Sequence, residues 1–264
     1  MSTTVTDYLH YAWDMLNGYR TNIETRIFAE REHVIAGYLD RRNPIPALDL
    51  GNGHLRPQYT LLRAAGYRVY GIDLANRPQW SLTNVGYIFA RALYRWKLDL
   101  PITDADRTLA CADASYLPFP DNAFELVTSV AAFEHFLDVP AVVSELRRVL
   151  RPGGLVYACI HLFTCPSGGH NVRISEVPLR SVPQGIDPWD HLRKRRLPFH
   201  VPLNEWRQDQ YLKVFAEHFE ILKHYCAMRE GEEMLTPKIE AELSDYNRDE
   251  LTCGAYVIVA RKMS

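Results

Sequence analysis

The run Ile45 to Leu50 is apolar apart from Asp49, stops at Gly51-Asn52-Gly53, and is followed by Leu61 to Ala65, which keeps helical spacing up to Gly66. A strand that enters a glycine turn and then a helix forces a crossover, so the next strand lies parallel to the first. The pattern recurs. Tyr67 to Ile72 reads as a second strand ending at Asp73, Thr108 to Ala112 as a third ending at Asp113, and Glu125 to Val130 as a fourth. Val142, Leu146, Val149 and Leu150 then share one helical face before Pro152-Gly153-Gly154, and Leu155 to Ile160 reads as a fifth strand. Phe219 to Ala227 and Cys253 to Arg261 bring the count to seven. Strands alternating with helices predict an α/β fold, Rossmann-like and doubly wound, with a mainly parallel seven-stranded sheet and helices on both faces.

Asp7 to Leu39 reads as an N-terminal helical arm, with Ile23, Ile27, Val34 and Tyr38 at helical steps and no proline. Two segments exceed ordinary loop length. Ala75 to Arg107 is rich in aromatics (Trp80, Tyr87, Phe89, Tyr94, Trp96), which, with Tyr8, Tyr11, Trp13 and Tyr19, pack a helical lid against its own domain or wall an acceptor. The long insertion after the fifth strand, His161 to Pro202, carries Gly168-Gly169-His170-Asn171 and Pro188-Trp189-Asp190-His191, turn residues with polar tips that suit a substrate lid. A helix from Glu205 to His218 and a charged helix from Pro237 to Tyr246 separate the last strands. The chain is read as one domain: arm 1–44, core 45–160, insertion 161–202, and closing helices and strands 203–264.

Composition narrows the partners. At 264 residues with a net charge of -2, the chain has no overall basic field for nucleic acid or an anionic membrane. Cys111, Cys159, Cys165, Cys226 and Cys253 are odd in number and lack CxxC spacing, against a disulfide framework or a zinc knuckle. With no signal-like start and no long apolar run, a cytoplasmic protein is expected, as a monomer or homodimer.

Gly51 and Gly53 leave the turn's backbone open to a ligand, and Asp49, Asp73 and Asp113 stand at successive strand ends. An acid after the second strand can hold both ribose hydroxyls, and one after the third can take an adenine amino group, so the spacing fits an adenosyl ligand. Asp49-Leu50-Gly51-Asn52-Gly53, Gly71-Ile72-Asp73, the stretch from Asp113 through Leu117-Pro118-Phe119-Pro120 to Phe124, and Arg148-Val149-Leu150-Arg151-Pro152-Gly153-Gly154 resemble, in order, the motifs of class I S-adenosylmethionine (SAM)-dependent methyltransferases, small-molecule subgroup. An NAD-binding Rossmann protein would explain neither the Leu117-to-Pro120 stretch nor the Arg148-to-Gly154 signature. The resemblance implies that Gly51 and Gly53 flank the methionine moiety, Asp49 meets its ammonium, Asp73 holds the ribose, and Asp113 with Ala114 meets the adenine. Asn52, Leu74 and Ser129 complete the expected cofactor contacts. Leu55 stands where a third glycine would be.

Glu134-His135 resembles a pair that in some such enzymes binds a divalent metal, but Val130-Ala131-Ala132-Phe133 supplies no second carboxylate, so the pair is expected to line the pocket without a metal. Methylating a hydroxyl requires removal of its proton, a task suited to histidine. His161 and His170 lead, with His135 and His191 as further candidates and Asp190 beside the last. Arg193-Lys194-Arg195-Arg196, preceded by Arg173 and Arg180, forms a basic run that would receive an anionic group of the acceptor or stay a solvated patch. The expected function is O-methylation of a hydroxyl on a small natural-product intermediate or sugar, with S-adenosylhomocysteine as second product. The alternatives are N- or C-methylation of a small metabolite and a SAM-binding regulatory module without catalysis. RNA or protein methylation lacks an Asn-Pro-Pro-Tyr-like signature after the fourth strand, where Ser129-Val130-Ala131-Ala132-Phe133 stands.

Overall fold

The computed structural model describes residues 13, 17–39, 44–76, 82–101, 108–171, 178–182, 185–199 and 201–263. They fall into two compact units, one made of 1–128 with 148–155 and the other of 129–147 with 156–264. Trp80, Tyr8, Tyr11 and Arg173 lie outside the described residues.

In the first unit, α1 (Tyr19–Ile35) starts from Gly18, whose φ of 77° only glycine adopts at little cost. The helix expected from Asp7 is therefore broken by a turn at Asn17 and Gly18; most of its first part lies outside the described residues. β1 (Pro46–Leu50) is buried along its whole length, as a central strand covered on both faces must be. α2 (Pro57–Ala64) starts one turn earlier than its apolar spacing suggests, with Pro57 in its first turn. β2 (Arg68–Ile72) follows, then α3 (Leu82–Lys97), which fills much of the aromatic insertion and accords with its reading as helical. β3 is only Leu109–Ala110, shorter than the expected Thr108 to Ala112.

β4 (Phe124–Val130) and β5 (Leu150–Ile160) begin in the first unit and end in the second. Between them, α4 (Val139–Val149) runs straight into β5, so Pro152-Gly153-Gly154 lies inside the strand and does not separate helix from strand. A Cβ on Gly154 would come within 2.9 Å of Arg151 O and 3.2 Å of Glu125 O, which explains the glycine.

In the second unit come the short α5 (Asp190–Arg193), α6 (Gln208–His218), β6 (Glu220–Arg229), α7 (Pro237–Glu242), α8 (Arg248–Leu251) and β7 (Cys253–Arg261). α6 starts three residues later than expected, and α7 stops well before Tyr246. The seven strands form one sheet in the order β3-β2-β1-β4-β5-β7-β6. β1 pairs in parallel with β2 and β4, β2 in parallel with β3, and β6 antiparallel with β7.

Trp189 is fully buried in a cluster with Leu235, Ile239, Leu243 and Leu251, and its indole N–H donates to Thr164 O and Leu251 O, each at 3.1 Å. Asp190 and His191 beside it are also buried. Trp189 to His191, read as part of a lid tip, are thus core of this unit. No helix among the described residues is long and apolar enough to cross a membrane.

Candidate active site

In the first unit the glycine turn is built by strand ends. Gly51 (φ 73°) and Asn52 both donate backbone N–H groups to Ile72 O, at 2.9 and 3.2 Å, which ties the end of β1 to the end of β2. Gly53 (φ 63°) donates its N–H to Asp73 Oδ2 at 2.7 Å, and Ala75 N–H reaches Asp73 Oδ1 at the same distance. Each Asp73 oxygen keeps a lone pair for a further donor. A Cβ on Gly53 would meet nothing within 4 Å, so the backbone there faces open space.

Asp49 is 2% exposed, and its Oδ2 meets no hydrogen-bond partner. Burial pushes its carboxyl up to about 7, against the pull of Arg31. Arg31, on α1 and fully buried, donates through Nη1 to Gln58 Oε1 at 3.0 Å and Thr128 Oγ1 at 3.1 Å, while its Nη2 is left without a partner. Asn52 Nδ2 is also buried and unpartnered. Asp113 accepts from Ser115 N and Ser115 Oγ at 2.8 and 2.7 Å, which hold its carboxyl below the usual range. Ala114 is buried and Leu74 exposed.

α3 docks on this turn through its own residues. Tyr87 stacks on His54 with centroids 4.2 Å apart, and Arg91 donates to His54 O at 3.0 Å. Tyr94 is buried, whereas Phe89 and Trp96 are exposed.

Ser129, at the end of β4 and counted with the second unit, is buried with its hydroxyl unpartnered. The same unit gathers three of the four sequence-predicted histidines. The His170 ring lies 4.8 Å from both His135 and His161, centroid to centroid. His170 sits at φ 48°, a left-handed position reached from Gly168 and Gly169. Those glycines are required by packing: a Cβ on Gly168 would lie 2.4 Å from Leu162 O, and one on Gly169 2.9 Å from His191 Cβ. Burial, and then the neighbouring histidines, push His170 down to about 2, and its Nε2 has no partner. Burial also lowers His161, with Glu230 opposing. His135 Nδ1 is 2.9 Å from Pro202 O.

Glu134, 1% exposed, has two carboxylate oxygens that no group meets at hydrogen-bonding geometry. Burial raises it to about 8, and backbone N–H groups of Glu134 itself and His161 offset only part of that. Glu134, His135 and His170 bring three metal-ligating atoms within 4.8 Å of one another.

His191 stands apart in role. Its Nε2–H donates to Phe163 O at 2.7 Å, and burial lowers the ring to about 4, so it braces the turn at 163. It lines a shallow cleft with Gly169, Asn171, Leu197 and Phe199, and the other three histidines do not border that cleft. All four cations of the basic run are engaged: Arg193 with Glu242, Lys194 and Arg196 with Asp187 at 2.5 and 3.6 Å, and Arg195 with Glu205 at 2.6 Å. Three carboxylates offset most of the charge of these four side chains, which weighs against the run's reading as an anion receptor. Arg31, Ser167 and Glu230 escaped sequence reasoning because none sits in a motif.

A methyltransferase-domain model matches residues 48–158. Over that stretch the chain is similar to the methyltransferase-domain family. The chain is 29% identical over 131 residues to a sterol 24-C-methyltransferase of Gibberella zeae, a match covering 49% of this chain and 31% of that protein. It is also 29% identical over 145 residues to the 27-O-demethylrifamycin SV methyltransferase of Amycolatopsis mediterranei, covering 55% of this chain and 47% of that one. The chain thus spans less than half the length of these curated relatives. In fold it is similar to an S-adenosylmethionine-dependent methyltransferase from Mesorhizobium loti, with a TM-score of 0.51 at 20% identity, covering 87% of this chain and 96% of that one.

The residues of the first unit fit the family's cofactor. The unpartnered Asp49 Oδ2 suits an ammonium, the unpartnered Arg31 Nη2 a carboxylate, and the spare lone pairs of Asp73 a ribose diol.

Proposed function

We propose that this chain transfers the SAM methyl group to a hydroxyl of a small, uncharged acceptor, with His161 as the proton acceptor. The observation that carries the reading is the cluster of His135, His161 and His170 beside the buried Glu134, in which burial lowers His161 and His170 so that they are neutral at physiological pH. A neutral imidazole accepts a proton; an imidazolium does not. SAM, when bound, supplies an activated methyl on a sulfonium. Asp49, Asp73 and Asp113 hold it, and the protein's remaining work is alignment and proton removal.

An uncharged acceptor is favoured because the basic run is already paired and the cluster carries no fixed cation among the described residues. A natural-product intermediate or sugar meets that description. Carbon methylation is the second reading, favoured by the 24-C specificity in the sterol relative's name and by Glu134, a buried carboxyl able to exchange a proton near neutrality.

The test is S-adenosylhomocysteine release with a panel of neutral phenols, sugars and sterols against matched carboxylated and phosphorylated compounds. Turnover with the neutral hydroxyl compounds, lowered about 10²- to 10⁴-fold in His161→Ala, is the expected result. Turnover confined to the anionic panel, or unaffected by His161→Ala, contradicts it.

A further inference from the structure

A histidine acts as a base only through the nitrogen that lacks a hydrogen, so its tautomer has to be fixed. Behind His161 runs a buried hydrogen-bond chain. Ser167 Oγ donates to Glu230 Oε1, and Glu230 also accepts the backbone N–H groups of Ser167, at 3.1 Å, and of Leu179, at 2.9 Å. With its one hydrogen committed to Glu230, the Ser167 oxygen has only lone pairs left for its other neighbours. Those neighbours are His161 Nε2 at 2.7 Å and Cys165 Sγ at 3.5 Å. The imidazole hydrogen therefore sits on Nε2. An Nδ1–H ring would place two lone pairs against each other at hydrogen-bonding distance, in a place where Ser167 is 4% and Glu230 3% exposed.

We infer that Ser167 and Glu230 are positioning residues that lock His161 as the Nε2–H tautomer and leave Nδ1 to take the acceptor's proton. The inference rests on the proposed role of His161 as base. The three residues come from separate parts of one unit: His161 just after β5, Ser167 in the turn that follows, and Glu230 just after β6. The third is held rigidly. Glu230 N–H donates to Thr252 O at 2.9 Å, Gly231 N–H donates to Leu179 O at 2.8 Å, and a Cβ on Gly231 would lie 2.6 Å from Pro166 Cγ.

In the step, the acceptor oxygen gains the methyl carbon, the carbon–sulfur bond breaks with its electron pair left on sulfur, and the hydroxyl proton moves to Nδ1. The imidazolium so formed is balanced by Glu230 through Ser167 and opposed by His135 and His170. Those neighbours, with Cys165, His191 and the Glu134 carboxyl beside the His161 backbone N–H, are the titratable groups around the ring among the described residues.

The experiment is long-range 15N–1H correlation of the full chain labelled with 15N-histidine, across pH 6.5 to 9. The unmutated protein is expected to show His161 neutral with its hydrogen on Nε2. Glu230→Leu removes the carboxylate that takes the serine hydrogen, which then turns toward Nε2; His161 should then carry its hydrogen on Nδ1. Ser167→Thr keeps a hydroxyl and should keep the native tautomer, which guards against a trivial folding defect. With an acceptor from the panel, Glu230→Leu should lower kcat about 10²- to 10⁴-fold with KM for SAM unchanged. His161 protonated on Nδ1 in the unmutated protein, or an unchanged tautomer in Glu230→Leu, overturns the relay, as does a reversed tautomer with undiminished kcat. If the unmutated protein turns over no acceptor, the proposed function fails and the tautomer alone decides the relay.

Discussion

Single carboxylates carry most of the chemistry, and their surroundings set what each can do. Asp73 spends one lone pair of each oxygen on the turn's backbone, at Gly53 and Ala75. Asp73→Ala should therefore loosen the turn as well as remove ribose contacts, and SAM affinity measured by calorimetry should fall by about 1–3 kcal/mol. Glu134 has a different signature. Its folded value of about 8 lies above the ordinary 4.5, so the native state holds one proton more than the unfolded chain between those pH values. Stability must fall as pH rises through that window, by about 1.4 kcal/mol per pH unit from this group, and level off above it. Denaturant unfolding at a series of pH values should show this slope in the difference between the unmutated protein and Glu134→Gln; parallel curves for the two would contradict the burial of an ionisable Glu134. Asp49, Asp73 and Asp113 were legible because strand-end acids sit at fixed distances from glycines and apolar runs. Arg31, Ser167 and Glu230 were not, because their partners lie far along the chain and no local pattern marks them.

At the scale of elements, periodicity located every strand, and capping and packing set the ends. The apolar run of Cys253–Arg261 marks that strand to the residue. α2 was read a turn short because its first residues, Pro57 and Gln58, break the apolar spacing, although proline suits a first turn. The aromatics of α3 suggest a helical lid packed on its own domain, but they do not mark where that helix starts and stops. Two elements make further predictions. In the turn that carries His170, Gly168→Ala puts a methyl against two carbonyl oxygens, each 2.4 Å from its Cβ, and should cost about 1–3 kcal/mol in urea unfolding. The arm helix α1 is bonded to Gln58 and Thr128 by Arg31, whose charge also lowers the Asp49 carboxyl. Arg31→Met should weaken SAM binding at pH 7 more than Arg26→Met, on the same helix, does; equal effects would remove Arg31 from the cofactor site.

For the molecule as a whole, the order β3-β2-β1-β4-β5-β7-β6 matches the two halves of the sequence pattern: helices between β1 and β2, β2 and β3, and β4 and β5, then an antiparallel closing pair. What pattern cannot supply is the content of the insertion after β5. Its residues looked like a polar lid by composition, yet Trp189, Asp190 and His191 are buried, because a tryptophan beside an aliphatic cluster gains more from burial than its polar neighbours lose when each finds a partner. The same compaction gathers His135, His161 and His170, residues scattered over three dozen positions. The measurement that bears most directly on the cofactor assignment is calorimetric titration of the purified protein with SAM, S-adenosylhomocysteine and NAD in parallel. Saturable binding of the first two, with none of NAD, is the result predicted; selective binding of NAD, or binding of none of the three, would contradict it.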